Sequence, residues 1–149
     1  MTPEEEILQA FPELAKAKFA VTSPKDFRYN CIAWAGDDSR QWWEPSGMSM
    51  HYWPHGDLSY SLQSYLEAYR VNGYVDASDS SVEIGFEKVA VYVDSYGIPT
   101  HASKQKPNGL WTSKLGEDED IEHEFPEGVE GKIYGKVHTI LKRRILKKK

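Results

Sequence analysis

Cysteine is almost missing from this chain: Cys31 is the only one in 149 residues. A single thiol excludes an internal disulfide and a zinc site built from several thiolates, so Cys31 acts, if at all, as a free thiol. Long apolar runs are missing as well. No stretch approaches the roughly 18 apolar residues that cross a bilayer, and Met1-Thr2-Pro3-Glu4-Glu5-Glu6 lacks the basic start and apolar run of a signal peptide. The expectation is a protein with no membrane span, located in the cytoplasm; signal-independent export would leave no mark here. Basic residues are scarce outside the C-terminus. Residues 142–149 hold six of the 18 Lys and Arg, leaving 12 against 23 Asp and Glu. An acidic body without a Gly-rich phosphate loop argues against nucleic acid as partner. The basic end reads as a solvated tail.

What is present suffices for one domain. At 149 residues and 40% hydrophobic, the chain supports a single core, over residues 1–141, followed by the tail at 142–149. Five Trp, nine Tyr and five Phe are a heavy aromatic load, placed in the core or in a binding cleft.

Thr2-Pro3-Glu4-Glu5-Glu6 is a helix start, with Pro tolerated in the first turn and acids favoured beside the positive end of the dipole. Pro12 interrupts the stripe of Ile7, Leu8 and Phe11, and Glu13 to Phe19 forms a second short helix or turn. Ser23-Pro24-Lys25-Asp26 is a loop, and a helix of about two turns opens near Asn30. Pro45 to Gly56 suits a surface loop. Leu62, Tyr65, Leu66 and Tyr69 recur at helical spacing between a Ser-rich cap and Gly73, the clearest helix in the chain.

Strands follow. Val89 to Val93, Ile98 to Gln105, Leu110 to Leu115 and Ile133 to Leu141 read as extended, with turns at Asp94-Ser95-Tyr96-Gly97 and Pro107-Asn108-Gly109. Glu117 to Glu130 carries eight acids and is expected to loop over the surface. Helices first and an antiparallel meander second make an α+β order, with four to five strands.

Chemistry centres on Cys31. A thiol attacks as thiolate, and the first turn of a helix places unsatisfied amides and the positive dipole end beside the sulfur. Asn30, or a backbone amide of that turn, is positioned to steady an oxyanion, a contribution of about 3 kcal/mol in comparable sites. A buried packing cysteine beside Ile32, Ala33 and Trp34 is the alternative reading. His101, at the head of a strand in Thr100-His101-Ala102, is the candidate base, with Ser113 on the adjacent strand as orienting residue and Asp120 or Glu122 as carboxylate substitutes.

The other histidines compete less well. Trp53-Pro54 breaks any helix that would bring His51 and His55 to one metal, and no metal site is expected. His123, set among acids, reads as an exposed imidazole with a raised pKa, and His138 as a structural residue of the last strand. Trp42, Trp43, Trp53 and Trp111 are candidate substrate-contacting rings, with core packing as the competing explanation.

Tyr29-Asn30-Cys31-Ile32-Ala33-Trp34-Ala35, Gly85-Phe86-Glu87-Lys88-Val89-Ala90-Val91-Tyr92, Thr100-His101-Ala102 and Trp111-Thr112-Ser113-Lys114-Leu115-Gly116 resemble blocks of a bacterial family of uncharacterised proteins, a domain of unknown function, over about residues 28–138. More distantly the chain resembles the papain-like superfamily, including NlpC-type cell-wall hydrolases and papain-fold toxin domains, in which Asn-Cys or Asp-Cys opens a helix and His-Ala opens a strand. That resemblance implies a papain-like fold, Cys31 as nucleophile and His101 as base. In an NlpC-type register Lys88 stands where the base belongs and His101 falls in the orienting position. In the toxin-like register His101 is the base and Ser113 replaces the orienting Asp or Asn. We adopt the second, which keeps a base for the thiol.

The expected function is therefore a cysteine hydrolase or acyltransferase acting on an amide in a peptide, an isopeptide or a cell-wall stem, through a Cys31 thioester and without a cofactor. The alternative is a catalytically inactive papain-like binding module that holds a protein partner.

Overall fold

The computed structural model describes residues 1–16, 18–23, 28–115 and 119–145. Most of the loop expected at 23–26, and the last lysines of the tail, lie outside them. Strands and helices alternate less simply than the sequence suggested. The chain makes α1 (Pro3–Ala10), a 3-10 turn (Pro12–Lys16), β1 (Phe19–Ser23), α2 (Cys31–Ala35), β2 (Trp42–Trp43), β3 (His51–Tyr52) and α3 (Leu62–Arg70). Then come β4 (Val75–Asp76), β5 (Phe86–Val93), β6 (Pro99–Gln105), β7 (Trp111–Lys114), β8 (Asp120–His123), a second 3-10 turn (Pro126–Val129) and β9 (Lys136–Arg144).

Local chemistry explains the helices. The Thr2 hydroxyl accepts from the Glu5 amide at 3.1 Å while the Glu5 carboxylate accepts from the Thr2 amide at 3.2 Å, a reciprocal cap with Pro3 in the first turn. Ser61 caps α3 by accepting from the Ser64 amide at 3.1 Å, and Tyr65, Leu66 and Tyr69 bury the predicted stripe.

Seven strands form one sheet in the order β1-β8-β7-β6-β5-β9-β4, every neighbouring pair antiparallel. The meander β5-β6-β7-β8 is its centre. β2 and β3 form a separate parallel pair, with β3 inside the segment expected to be loop and β2 just before it. The fold is thus α+β with a larger sheet than the four to five strands anticipated. Gly135, at φ +75°, permits the turn into β9, because a Cβ there would lie 1.9 Å from the Val93 carbonyl oxygen.

The acid-rich stretch is the largest correction. Rather than looping over the surface, residues 120–123 enter the sheet as β8 between β1 and β7, with Asp120, Ile121 and His123 buried. The basic end also begins inside the sheet. Lys142 reaches Glu83 at 2.8 Å, and Arg143 reaches Glu87 at 2.5 Å and Asp37 at 2.9 Å. Lys104 joins Asp37 and Glu87, closing a ring of charges across β6, β5, β9 and the end of α2.

Two apolar layers cover the sheet. On one face α2, α3, Trp43 and Tyr74 pack on Val89, Val91, Ala102 and Leu141. On the other, Ile7, Phe11, Leu14, Val129 and Tyr134 pack on Ala90, Tyr92, Trp111 and Ile121. Side chains alternate between faces along a strand, so this pairing fixes the face of every residue in the meander. Among the described residues, no helix is long and apolar enough to cross a membrane.

Candidate functional site

Asn30 builds the start of α2. Its Oδ1 accepts from the amides of Ala33 and Trp43, both at 3.1 Å, and its Nδ2 donates to the Trp43 carbonyl at 2.8 Å. These contacts tie the helix start to β2, using Oδ1 twice and one N–H of Nδ2. We predict that Asn30→Ala lowers stability by about 2 kcal/mol in urea unfolding, through loss of a cap and of a buried tertiary link.

Cys31 sits in that first turn with its thiol packed against β6. It is 7% exposed, and burial pushes its pKa up to about 11 against the opposing pull of the Ala102 amide, the amides of its own turn and the charge of Lys114. A five-residue helix does not offset the loss of water. The thiol is therefore protonated at neutral pH, contrary to the expected thiolate.

Lys114, Asp120 and Tyr29 share the thiol's face. Lys114 Nζ lies 3.8 Å from Asp120 Oδ1 and 5.1 Å from the centre of the Tyr29 ring, and the Tyr29 hydroxyl donates to Asp120 Oδ2 at 3.0 Å. All three are buried. Trp34 closes the neighbourhood, stacked on Tyr29 and donating its indole N–H to Thr112 Oγ1 at 3.1 Å. Glu122, the other proposed carboxylate, pairs with Lys106.

His101 is elsewhere. Within β5 and β6, Val91 opposes Ala102 and Tyr92 opposes His101. Ala102 belongs to the layer of Cys31, whereas the rings of Tyr92 and Tyr134 pack on His101, with Tyr134 stacked at 3.9 Å and 6°. His101 thus points to the opposite face from the thiol, and the two do not form a dyad. Ala102 occupies the register position that would face Cys31.

The imidazole instead joins a closed polar network. His101 Nε2 lies 3.1 Å from Ser113 Oγ and 3.3 Å from Ser103 Oγ; Ser113 Oγ lies 2.6 Å from Ser103 Oγ and 2.7 Å from His123 Nε2. His123 Nδ1 is 2.7 Å from the Phe125 carbonyl, and the Tyr92 hydroxyl donates to the Pro126 carbonyl. Proton counting orients the chain. The Phe125 carbonyl only accepts, so His123 carries its proton on Nδ1 and Ser113 donates to Nε2. Ser113 then accepts, and His101 carries its proton on Nε2, leaving Nδ1, which has no partner among the described residues, as a bare lone pair. Ser113 does meet His101, both fully buried on the face opposite Cys31.

Both rings are neutral. Burial, reinforced by His123, holds the His101 pKa well below the ordinary value, and burial lowers that of His123 to about 4 despite its bond to Phe125. His123 is therefore neither exposed nor raised, the reverse of the sequence expectation. Nothing in its acidic neighbours along the chain reveals this, because β8 turns Glu122 and Glu124 away from the side that holds the ring.

The tryptophans divide. Trp111 and Trp43 are core residues, and Trp53 packs edge-on against Tyr65 at 4.9 Å and donates to Ser64. Trp42 lines an open cleft, about 530 Å³ in volume, with Arg28, Arg40, Met50, His51 and Tyr52. His51 bonds Ser46 at 2.7 Å and His55 bonds the Ser64 carbonyl at 2.8 Å. Among the described residues no group of three His, Cys, Asp or Glu could hold a metal. His138 stands exposed in β9, bonded to Thr139.

No curated protein and no solved structure matches the chain. A family model for a domain of unknown function, DUF7689, matches residues 20–142, which includes α2, α3, the whole meander and most of β9. The chain belongs to the DUF7689 family.

Proposed function

We propose that this protein is a catalytically inactive binding module that holds a protein partner. The observation that carries the reading is the placement of Cys31 and His101 on opposite faces of β6. A thiol protease needs the imidazole within hydrogen-bond reach of the sulfur, and a thiol with a pKa near 11 is a poor nucleophile at neutral pH. A helix led by Asn-Cys and laid against the meander is the part of the papain-like plan that this reading retains. Its catalytic half is missing, because Ala102 stands where a base would face the sulfur.

Alkylation tests this directly. Cys31 should react with iodoacetamide slowly at pH 7, with a rate that rises toward about pH 11 and is the same after His101 is replaced by Gln. Fast alkylation near neutrality that disappears in the His101→Gln variant would restore the hydrolase acting on a peptide, isopeptide or cell-wall amide.

A further inference from the structure

We infer that the partner is recognised through an acidic peptide segment that enters the cleft between Arg40 and Trp42, an inference that rests on the binding-module reading above. The cleft is a built surface. Asp38 accepts from the amides of Arg40 and Gln41 at 2.9 and 3.2 Å, from the Gln41 side chain at 2.8 Å and from the Trp43 indole at 2.9 Å, which fixes the turn that presents Arg40 and Trp42. The Trp42 indole donates to Glu44 at 3.1 Å and its ring stacks on His51 at 6.3 Å, while Ser46 holds His51 from behind. Walls locked in this way lose little entropy when a ligand arrives.

Charge and apolar surface point to the same occupant. Outside its last eight residues the chain carries 12 basic against 23 acidic side chains, yet this cleft is lined by Arg28 and Arg40. Among the described residues the Arg40 guanidinium has no ion-pair partner. Arg70 and Arg143, by contrast, are each held by carboxylates. A guanidinium presents a planar fork suited to a carboxylate. Beside it Met50 is 70% exposed and Tyr52 41% exposed, an apolar wall that water covers at a cost. A segment that alternates carboxylate and aromatic side chains satisfies both at once.

The test uses the intact chain and two peptides, acetyl-Glu-Phe-Glu-amide and its counterpart with Gln in place of Glu. Binding is read from the Trp42 indole resonance, assigned with a Trp42→Phe variant. We expect saturable shifts with the acidic peptide, weakening at least tenfold for the Gln peptide, at least tenfold in Arg40→Gln, and further as salt rises. Equal affinity for both peptides, no effect of Arg40→Gln, no saturable binding, or tighter binding of oligothymidine would each overturn the inference. Arg40 is exposed, so its replacement leaves the fold intact. Failure here is separable from failure of the binding-module reading, which the alkylation rate of Cys31 reports.

Discussion

Replacing Lys114 with Met should destabilise the protein by about 3–5 kcal/mol, because it leaves the Asp120 carboxylate in the interior without the cation 3.8 Å away. Both side chains are essentially without solvent contact, so the screening that makes surface pairs nearly worthless does not operate. The Tyr29 hydroxyl still donates to Asp120, but a neutral donor does not replace a charge. One control gives the effect a mechanism. Lys114→Met combined with Asp120→Leu should recover most of the loss, since a buried pair exchanged for apolar groups is often neutral. Urea midpoints of the three proteins decide the matter, and a loss under about 1 kcal/mol for the single variant would show that the pair does not carry the charge balance of this face.

Acid should unfold the protein through its two enclosed imidazoles. In the folded chain His123 has a pKa near 4, against an ordinary value of 6.5, and His101 is also held well below 6.5. A depressed folded-state value means that the unfolded chain binds protons first as pH falls. Stability is thus complete above pH 6.5, declines from there, and the His123 share is exhausted near pH 4. That share amounts to about 3 kcal/mol, and His101 adds to it in the same direction. Urea unfolding between pH 8 and pH 4 should trace the slope. His123→Gln, which retains an amide for Ser113 and Phe125, should begin less stable at pH 8 and lose less on acidification. A wild-type midpoint that stays flat from pH 6.5 to 4.5 would contradict the buried placement of these rings.

The network around Ser113 is better understood as a clamp than as chemistry. It ends on the carbonyls of Phe125 and Pro126, at the start of the second 3-10 turn, and so fastens that turn to the centre of the meander. Every donor in it has an acceptor when His101 carries its proton on Nε2 and His123 on Nδ1, and protonating His101 on Nδ1 adds a donor for which the site offers no acceptor among the described residues.

Much of the architecture was legible from short-range pattern. Leu62, Tyr65, Leu66 and Tyr69 gave α3, the Asn108-Gly109 turn gave the β6-β7 hairpin, and Val89 to Val93 gave the core of β5. The helix start at Asn30 was also readable, because capping depends on residues three apart. β8 was not. Its four residues include two acids and a histidine, and composition alone assigns such a segment to solvent. It is a strand because β1 and β7 flank it and because Lys114 and Lys106 neutralise the carboxylates on the face it shares with Cys31. Phe19–Ser23 was hidden for a similar reason, being a short run whose one strand partner among the described residues is β8.

The amino-acid order by itself determined the class of the fold, the capped turn that carries Cys31 and the strand that carries His101, since each depends on neighbours along the chain. Only the tertiary structure decided which side of that strand meets the thiol. Strand geometry alternates with period two, so a single step of register moves a side chain through the sheet, and the step is set by pairing with β5 and by the layers on either side. Here it turned Ala102 toward the sulfur and enclosed the imidazole between Tyr92 and Tyr134.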